Sequence, residues 1–409
     1  MARTKTADRD MTQGGIFRAL LLFSLPLLAG NFFQQCYNTV DSIVLGNFVG
    51  KAALAAVGTT TPIINTLIGL FLGLSAGIGV VISQFYGAKE EEKVGQAVQT
   101  SLLLVLLLCG VFTAVGIAMV PGMLRLMATP ADVFPQAARY LRIYFAGVSG
   151  LMLYNLGAGI LRAVGDARRP LYFLLFSAGV NTGLDLLFVA VFHWGIAGAA
   201  VATSLSQCVG GLLPLLYFLG KWNRSELHLT RFRFDGRALG RICGNGSSEL
   251  MSNISMSLVG MLYNAQLMRY GGQNGIAAYG VLMYVSMIFH ACFIGYAVGV
   301  SPVVSFHFGA QNRPELHSLL RKSLRLIGGS SIAMLAAGEA LARPLGQIFV
   351  GYDEALLAMT VRAFRIYSFS FLLAGVAILG SSFFTALNDG LTSALISFLR
   401  TLVFQIAAV

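Results

Sequence analysis

The chain has 409 residues, of which 56% are hydrophobic and only 11% carry a charged side chain. A soluble protein has roughly a quarter of its residues charged, so 28 basic and 17 acidic residues are too few to cover a globule of this size. Uncharged runs at 52–88, 94–124 and 270–312 each exceed the roughly 20 residues that span a bilayer. We therefore expect an all-α polytopic membrane protein.

Composition also argues against several other classes of protein. The five cysteines are odd in number and have no metal-ligand spacing, so we expect neither a disulfide framework nor zinc. The basic residues behind the net charge of +11 are scattered between apolar segments, so no nucleic-acid partner is expected. No phosphate loop, nucleophile–base set or cofactor fingerprint occurs. We expect a protein that is not an enzyme, has no cofactor, and has lipid and small molecules as partners.

Apolar length, glycine and proline positions and charge clusters predict eleven membrane-spanning segments. In chain order they cover residues 16–45, 52–86, 95–120, 135–161, 170–192, 195–219, 237–268, 275–308, 319–342, 359–386 and 391–409. The last segment stops at Val409 without a charged flank or a turn. We therefore expect this chain to lack a twelfth helix.

The basic residues predict the orientation of these segments. Nineteen lysines and arginines fall on the side of the N-terminus and eight on the other side. Since cytoplasmic loops carry the excess of these residues, we expect a multi-pass protein of the cell (plasma) membrane with a cytoplasmic N-terminus.

Two stretches of sequence repeat. The pattern at 55–88 recurs 222 residues later at 277–310, and the pattern at 139–166 recurs 223 residues later at 362–389. An offset that covers an even number of helices keeps both copies in one orientation. We expect two pseudo-symmetric six-helix lobes in parallel. The predicted division is an N-lobe at 1–220, an inter-lobe loop with the start of the seventh helix at 221–241, and a C-lobe at 242–409.

Four acidic residues lie within apolar segments, where each costs roughly 2.5–3.5 kcal/mol near a helix centre; they are Asp41, Asp185, Glu249 and Glu339. Intramembrane acids are by default functional candidates. At about 1.5 Å per residue, Asp41 and Asp185 both lie within about 5–10 Å of the outer boundary.

Three neutral polar residues lie at a comparable depth. Asn181 and Tyr37 are one helical turn from Asp185 and Asp41, and Thr203 reaches a similar level on the next segment. Two carboxylates, an amide oxygen and a hydroxyl suit either Na⁺ or a shared proton. We predict a cation-coupling site of all five residues, with Tyr37 beside the four that would be metal ligands if the ion is Na⁺.

The alternative is that Asp41 and Asp185 snorkel or cap helices near the outer surface. The corresponding regions of the second lobe contain Tyr263 and Phe404 or Ala408. A purely structural pair of acids would be expected in both halves of a repeat, so this asymmetry favours a functional site.

The other two acids are weaker candidates. Glu249 shares a polar stretch of the seventh segment with Asn253, and both are candidate substrate-binding residues. Simple solvation from an inner vestibule explains them equally well. Glu339 lies four residues before Arg343, which favours an ion pair within one helix.

Several motifs together resemble the multidrug and toxic compound extrusion (MATE) family, most closely its bacterial and archaeal branch. They are Pro26, Tyr37, Asp41 and Gly46 in the first segment, Gly87-Ala88 and Gly309-Ala310, Gly165-Asp166, Asn181-x-x-x-Asp185, and the run from Gly198 to Thr203. The resemblance implies a twelve-helix antiporter that exports organic cations or other amphipathic compounds while Na⁺ or H⁺ enters. It also implies that Asp41, Asn181, Asp185 and Thr203 form the coupling site. We expect a monomer.

Two departures and three alternatives accompany this resemblance. The seventh segment begins with the run 244–246 (Gly-Asn-Gly) where many relatives have a proline, and the twelfth helix is absent. A lipid-linked oligosaccharide flippase of the same architecture would need a basic central cavity, for which few intramembrane bases exist. An integral-membrane enzyme acting on a lipid would need a catalytic cluster at one membrane face, which the sequence lacks. The repeat and the enclosed acids favour a transporter over a channel.

Overall fold

A computed structural model describes residues 25–27, 29–30, 33–34, 40–41, 44–45, 48–127, 129, 131–220, 235–351 and 353–408. Every regular element within these residues is helical. The prediction of an all-α protein is thereby confirmed. The first predicted segment, 16–45, is described only in part, and all of its described residues are helical.

Five helices account for the rest of the first half, and their bounds agree with the predicted segments within about six residues. They are α1 Lys51–Gly87, α2 Glu91–Leu126, α3 Phe134–Ala163, α4 Arg168–Asp185 and α5 Ile196–Leu219. Helix α4 continues directly into a π-helical turn, Leu186–Val191. Sequence periodicity did not predict this turn.

The second half contains the remaining helices: α6 Gly236–Gly309, α7 Arg313–Val350, α8 Glu354–Ser368, α9 Phe371–Ala386, α10 Gly390–Phe398 and α11 Phe404–Ala408. Helix α6 is two helices joined at a sharp break, because Gly272 has φ 57° and ψ −151°. Helices α8 and α9 meet at 50° and form one bent span. A second π-helical turn, Leu399–Val403, joins α10 to α11.

Eight of the described helices are long and apolar enough to cross a membrane, and the bent pair α8–α9 makes a ninth. Helix α2 shows why they need lipid, because it leaves Leu103, Leu106, Leu107 and Val111 exposed. Burying these side chains in hydrocarbon rather than water is favourable by roughly 1.5–3 kcal/mol each. The polytopic membrane architecture follows from this exposure.

The sequence repeat is also a structural repeat. Ser83 Oγ donates a hydrogen bond to the carbonyl of Ala163 at 2.9 Å, and Ser305 Oγ donates to the carbonyl of Ala386 at 3.0 Å. These two bonds are related by the offsets of 222 and 223 found in the sequence. The non-glycine residues Lys89 and Gln311, also 222 apart, share an unusual positive φ of 58° and 54°.

The two halves contact each other through a reciprocal pair of glycines. A Cβ on Gly87 would overlap the carbonyl oxygen of Phe306, and a Cβ on Gly309 would overlap the carbonyl oxygen of Gln84. Since both pairs obey the offset of 222, a pseudo-twofold axis passes between α1 and the second part of α6. Two parallel lobes are related by such an axis along the membrane normal.

This contact lies at the end of the bundle that carries the loops 88–90, 164–167, 310–312 and 387–389. We call it the basic end because lysines and arginines flank these loops: Lys93, Arg162, Arg168, Arg169 and Arg313. From there the lobes stay close along α1 as far as Gly73, which packs against Gly246. The repeat-equivalent glycines Gly58 and Gly280 lie nearer the opposite, far end and have no atom within 4 Å of an added Cβ. The lobes are therefore closed at the basic end and less tightly packed toward the far end.

Enlarging Gly309 should separate the lobes at the basic end. In Gly309→Val the new side chain would overlap the Gln84 carbonyl, so we expect a longer distance between spin labels at Glu91 and Arg313, which are exposed first residues of α2 and α7. The measurement uses electron–electron double resonance on a background with all five cysteines replaced. Gly280→Val is the matched control, and an unchanged distance in folded Gly309→Val would contradict the assignment of this contact.

Candidate cation-coupling site

Helices α4 and α5 are antiparallel neighbours, and their contacts set the depth of two predicted site residues. Ser177 Oγ donates to the carbonyl of Ser206 at 2.6 Å, and the carbonyl of Phe188 lies 3.0 Å from an ideal Cβ on Gly198. Because the two helices are antiparallel, the residue one turn after Ser177 on α4 lies level with the residue about one turn before Ser206 on α5. This register places Asn181 and Thr203 at the same depth.

Three of the predicted residues are buried. Asn181 and Asp185 are 0% exposed and Thr203 is 5% exposed. Within the described part of the chain, both polar side-chain atoms of Asn181 and the Thr203 hydroxyl have no hydrogen-bond partner, and no N–H or hydroxyl donor reaches the Asp185 carboxylate oxygens. Since an unpartnered buried polar group costs about 1–3 kcal/mol, this concentration of buried polar atoms is expensive, and it makes the three residues candidates for binding a ligand.

Asp41 completes this group from the first predicted segment. It is half-buried, and its carboxyl group lies within hydrogen-bonding reach of the Asp185 carboxyl. A hydrogen bond between two carboxyl groups requires a proton on one of them. The pair is therefore suited to hold a proton, or a cation that replaces it.

The π-helical turn begins at the residue that follows Asp185. Such turns insert an extra residue into a helix and occur often at functional sites. Here the turn leads to a group of stacked rings, in which Phe188 and Trp194 lie 4.9 Å apart at 14°. Aromatic residues are typical of the membrane–water interface, so Asp185 lies about two turns inside the far end of the bundle.

The group combines carboxyl oxygens with neutral amide and hydroxyl oxygens. Among the described residues, no three His, Cys, Asp or Glu side chains are grouped to hold a metal ion. Two carboxyl groups supplemented by neutral oxygens suit Na⁺ or H⁺ rather than a tightly bound transition metal.

The other predicted residues have different outcomes. Tyr37 lies outside the described residues, and the side chains of Glu249 and Asn253, both on α6, also lie outside them. The predicted pair of Glu339 with Arg343 is wrong. Glu339 instead accepts a hydrogen bond from Ser368 at 2.9 Å and lies 3.7 Å from the Arg365 guanidinium, because α8 packs across α7.

Sequence reasoning gave no role to a basic residue that lies within an apolar segment. Arg400 lies in the π-helical turn Leu399–Val403, which packs against α6, and its charge acts electrostatically on His290. A basic residue inside an apolar segment was the available signal, but its contacts with other helices were not readable from the sequence.

Comparison with known families agrees with the fold. The MatE family profile matches residues 26–187 and 250–408. The chain belongs to the MATE family.

Relatives and solved structures of this family extend the comparison. The chain is 29% identical over 372 residues to the probable multidrug resistance protein YoeA of Bacillus subtilis, covering 88% of this chain and 79% of that protein. It is 37% identical over 210 residues to the probable multidrug resistance protein YpnP of the same species, a match that spans 51% of this chain and only 47% of that protein. A match to the Staphylococcus aureus multidrug export protein MepA has 22% identity and covers 94% of this chain and 85% of that protein.

Among solved structures, the chain matches an outward-facing conformation of a multidrug resistance MATE family transporter with a TM-score of 0.91 and 26% identity, covering 99% of this chain and 90% of that chain. A crystal structure of a MATE P26A mutant matches with a TM-score of 0.90 and 26% identity over 98% of this chain and 90% of that chain. The MATE family and these relatives are membrane transporters and not enzymes. The two-lobe all-helical fold is that of the family.

Neutralising Asp185 should stabilise the protein. Asp185→Asn removes a carboxyl group from a fully buried position beside the like-charged Asp41, and we expect it to raise the free energy of unfolding by about 1 kcal/mol or more. The measurement is the thermal unfolding midpoint in detergent at neutral pH without Na⁺. Asp235→Asn is the control, because Asp235 caps α6 by accepting from the Arg237 amide at 2.8 Å and asparagine caps equally well. No rise in Asp185→Asn would contradict the burial of a costly carboxylate.

Proposed function

We propose that this MATE protein is a secondary active multidrug efflux antiporter. It exports organic cations or amphipathic compounds in exchange for Na⁺ or H⁺ by alternating access. The observation that carries the proposal is the contact between Asp41 and Asp185 beside the unpartnered oxygens of Asn181 and Thr203. We further propose that it acts as a monomer in the plasma membrane, with its N-terminus and basic end in the cytoplasm.

The carboxyl pair provides a physical basis for exchange. Two carboxylates in contact within a low-dielectric interior repel each other strongly, so one proton or one Na⁺ is needed to neutralise part of their charge. A cationic substrate in the same lobe supplies the same compensation. Binding of the ion and binding of the substrate therefore compete for the same two carboxylates, which is the requirement for antiport.

The contacts between the lobes support the conformational part of the proposal. The lobes are closed where Gly87 on α1 packs against α6 and Gly309 on α6 packs against α1. Nearer the far end, Gly58 and Gly280 have no atom within 4 Å of an added Cβ. If the basic end is cytoplasmic, as its lysines and arginines predict, this is an outward-facing arrangement. An ion can shift the lobes only if it binds the two arrangements with different affinity, and a neutralised Asp41–Asp185 pair provides that difference.

Replacing either acid should abolish transport. We expect Asp41→Asn and Asp185→Asn each to eliminate export of a fluorescent organic cation from cells, while the amount of protein in the membrane is unchanged. Glu339→Gln is the matched control, because Glu339 is an acid on α7 that pairs with Arg365 and Ser368 instead. Undiminished efflux by both aspartate variants would refute the proposed coupling site.

The neutral ligands distinguish the two coupling ions. Na⁺ needs several oxygen ligands, whereas a proton needs only a carboxylate, so Thr203→Val should reduce transport more than tenfold in a Na⁺-driven carrier and should leave a H⁺-driven carrier active. The measurement is substrate efflux from proteoliposomes with Na⁺ and pH gradients imposed separately. If neither gradient drives efflux, the antiport proposal is wrong.

A further inference from the structure

The second half of the chain contains its own group of interior polar side chains, and this group is basic and aromatic rather than acidic. Its five members come from three different elements and are all half-buried: Tyr263, Tyr279 and His290 on α6, Tyr367 on α8, and Arg400 in the second π-helical turn. We call these residues the C-lobe cluster. None of them belongs to the proposed cation-coupling site.

The aromatic members are close together. The rings of Tyr263 and Tyr279 stack with centroids 5.5 Å apart at 18°. The hydroxyl groups of these two residues and of Tyr367 are near enough to interact electrostatically with one another. The Tyr367 ring lies 6.5 Å from the His290 ring. Ring faces and phenolic hydroxyls therefore converge on one region.

His290 is held in a defined orientation. Its Nδ1 lies 2.9 Å from the carbonyl oxygen of Ser286, so Nδ1 carries the hydrogen and Nε2 is the second, available nitrogen. The Ser286 side chain lies near the Tyr367 hydroxyl, where α6 packs against α8. The Phe371 ring packs against another side of the His290 ring, with the two ring centroids 5.6 Å apart.

Arg400 brings a permanent positive charge to this region. It is about ten residues, or about 15 Å, beyond the start of α10 at Gly390, which is about halfway across a hydrocarbon core of about 30 Å. Its positive charge acts electrostatically on His290, and the turn that contains it packs against α6. A charged residue at this depth is costly and by default functional, and the π-helical turn around it is a second mark of a functional position.

The repeat shows that this polarity is specific to one lobe. Subtracting the offset of 222 from Tyr279 and His290, and of 223 from Tyr367 and Arg400, gives their counterparts in the first half: Val57, Ile68, Tyr144 and Ser177. The counterpart of Tyr263 is Asp41 of the proposed coupling site. Only the tyrosine at 144 and 367 is shared. The fold does not require a histidine and an arginine here, because the same helices pack in the first half without them.

We propose that the C-lobe cluster binds an anionic aromatic group, such as an arene carboxylate, of the compounds that the protein transports. The inference deepens the proposed transport function and rests on it. A guanidinium matches a carboxylate through two parallel hydrogen bonds, and the tyrosine rings offer faces on which an aromatic ring stacks. The acidic pair Asp41–Asp185 repels such a group, so the two lobes select opposite ends of a zwitterionic amphipathic substrate.

Equilibrium binding to the purified protein in detergent tests the inference without any transport step. The probes are two molecules of similar shape and different charge: 1-naphthoate and 1-naphthalenemethanol. We expect the intact protein to bind naphthoate about tenfold or more tightly than the alcohol. Arg400→Gln should weaken naphthoate binding about tenfold or more, the loss expected for a hydrogen bond to a charged group, and should leave the alcohol unchanged.

Two further variants separate charge from folding. Arg400→Lys keeps the charge without the planar fork, so its naphthoate affinity should fall between those of the intact protein and Arg400→Gln. Arg362→Gln removes an exposed arginine on α8 and should have no effect. Equal binding of naphthoate and the alcohol by the intact protein, or an equal loss of both in Arg400→Gln, would overturn the inference. Active efflux in the Asp41 and Asp185 variants would instead overturn only the coupling site.

Discussion

The close crossing of α1 and α6 is the contact on which the rest of the arrangement depends. Gly87 and Gly309 allow backbone to meet backbone there, where any side chain would hold the lobes apart. Membrane helices associate through such small residues because lipid removes the hydrophobic drive that operates in water. With the lobes fixed together at this end, the acidic site lies near the other end, where a change in the angle between the lobes produces its largest displacement.

Much of the architecture was predictable because membrane helices have a strong sequence signal. Apolar length located α1 to α5 within about six residues, and the repeat offset correctly related Ser83 to Ser305 and Gly87 to Gly309. Local deviations were not predictable. The π-helical turns and the 50° bend between α8 and α9 depend on packing between helices, and residues 368–371 contain neither proline nor glycine.

The sequence predicts how deep in the membrane each candidate site residue lies, and the site was predictable only to that extent. Counting residues from the helix ends placed Asn181, Asp185 and Thr203 at one level, and the structure buries all three. Depth does not give the direction of a side chain around its helix, so the partner of Glu339 was predicted wrongly and the C-lobe cluster was missed. Arg400 was visible as an unusual charge, but its relation to His290 depends on how α6 packs against α10.

The reciprocal form of the glycine contact has an evolutionary consequence. Two identical copies of a single lobe would form the same pair of contacts, Gly87 against Phe306 and Gly309 against Gln84, across a true twofold axis. Joining two copies in one gene frees them from sequence identity while the shared scaffold preserves their assembly. One interior can then acquire acids and the other bases without altering the surface that holds them together. Fusion of duplicated halves thus gives each half an independent chemistry, which a homodimer of one gene product cannot have.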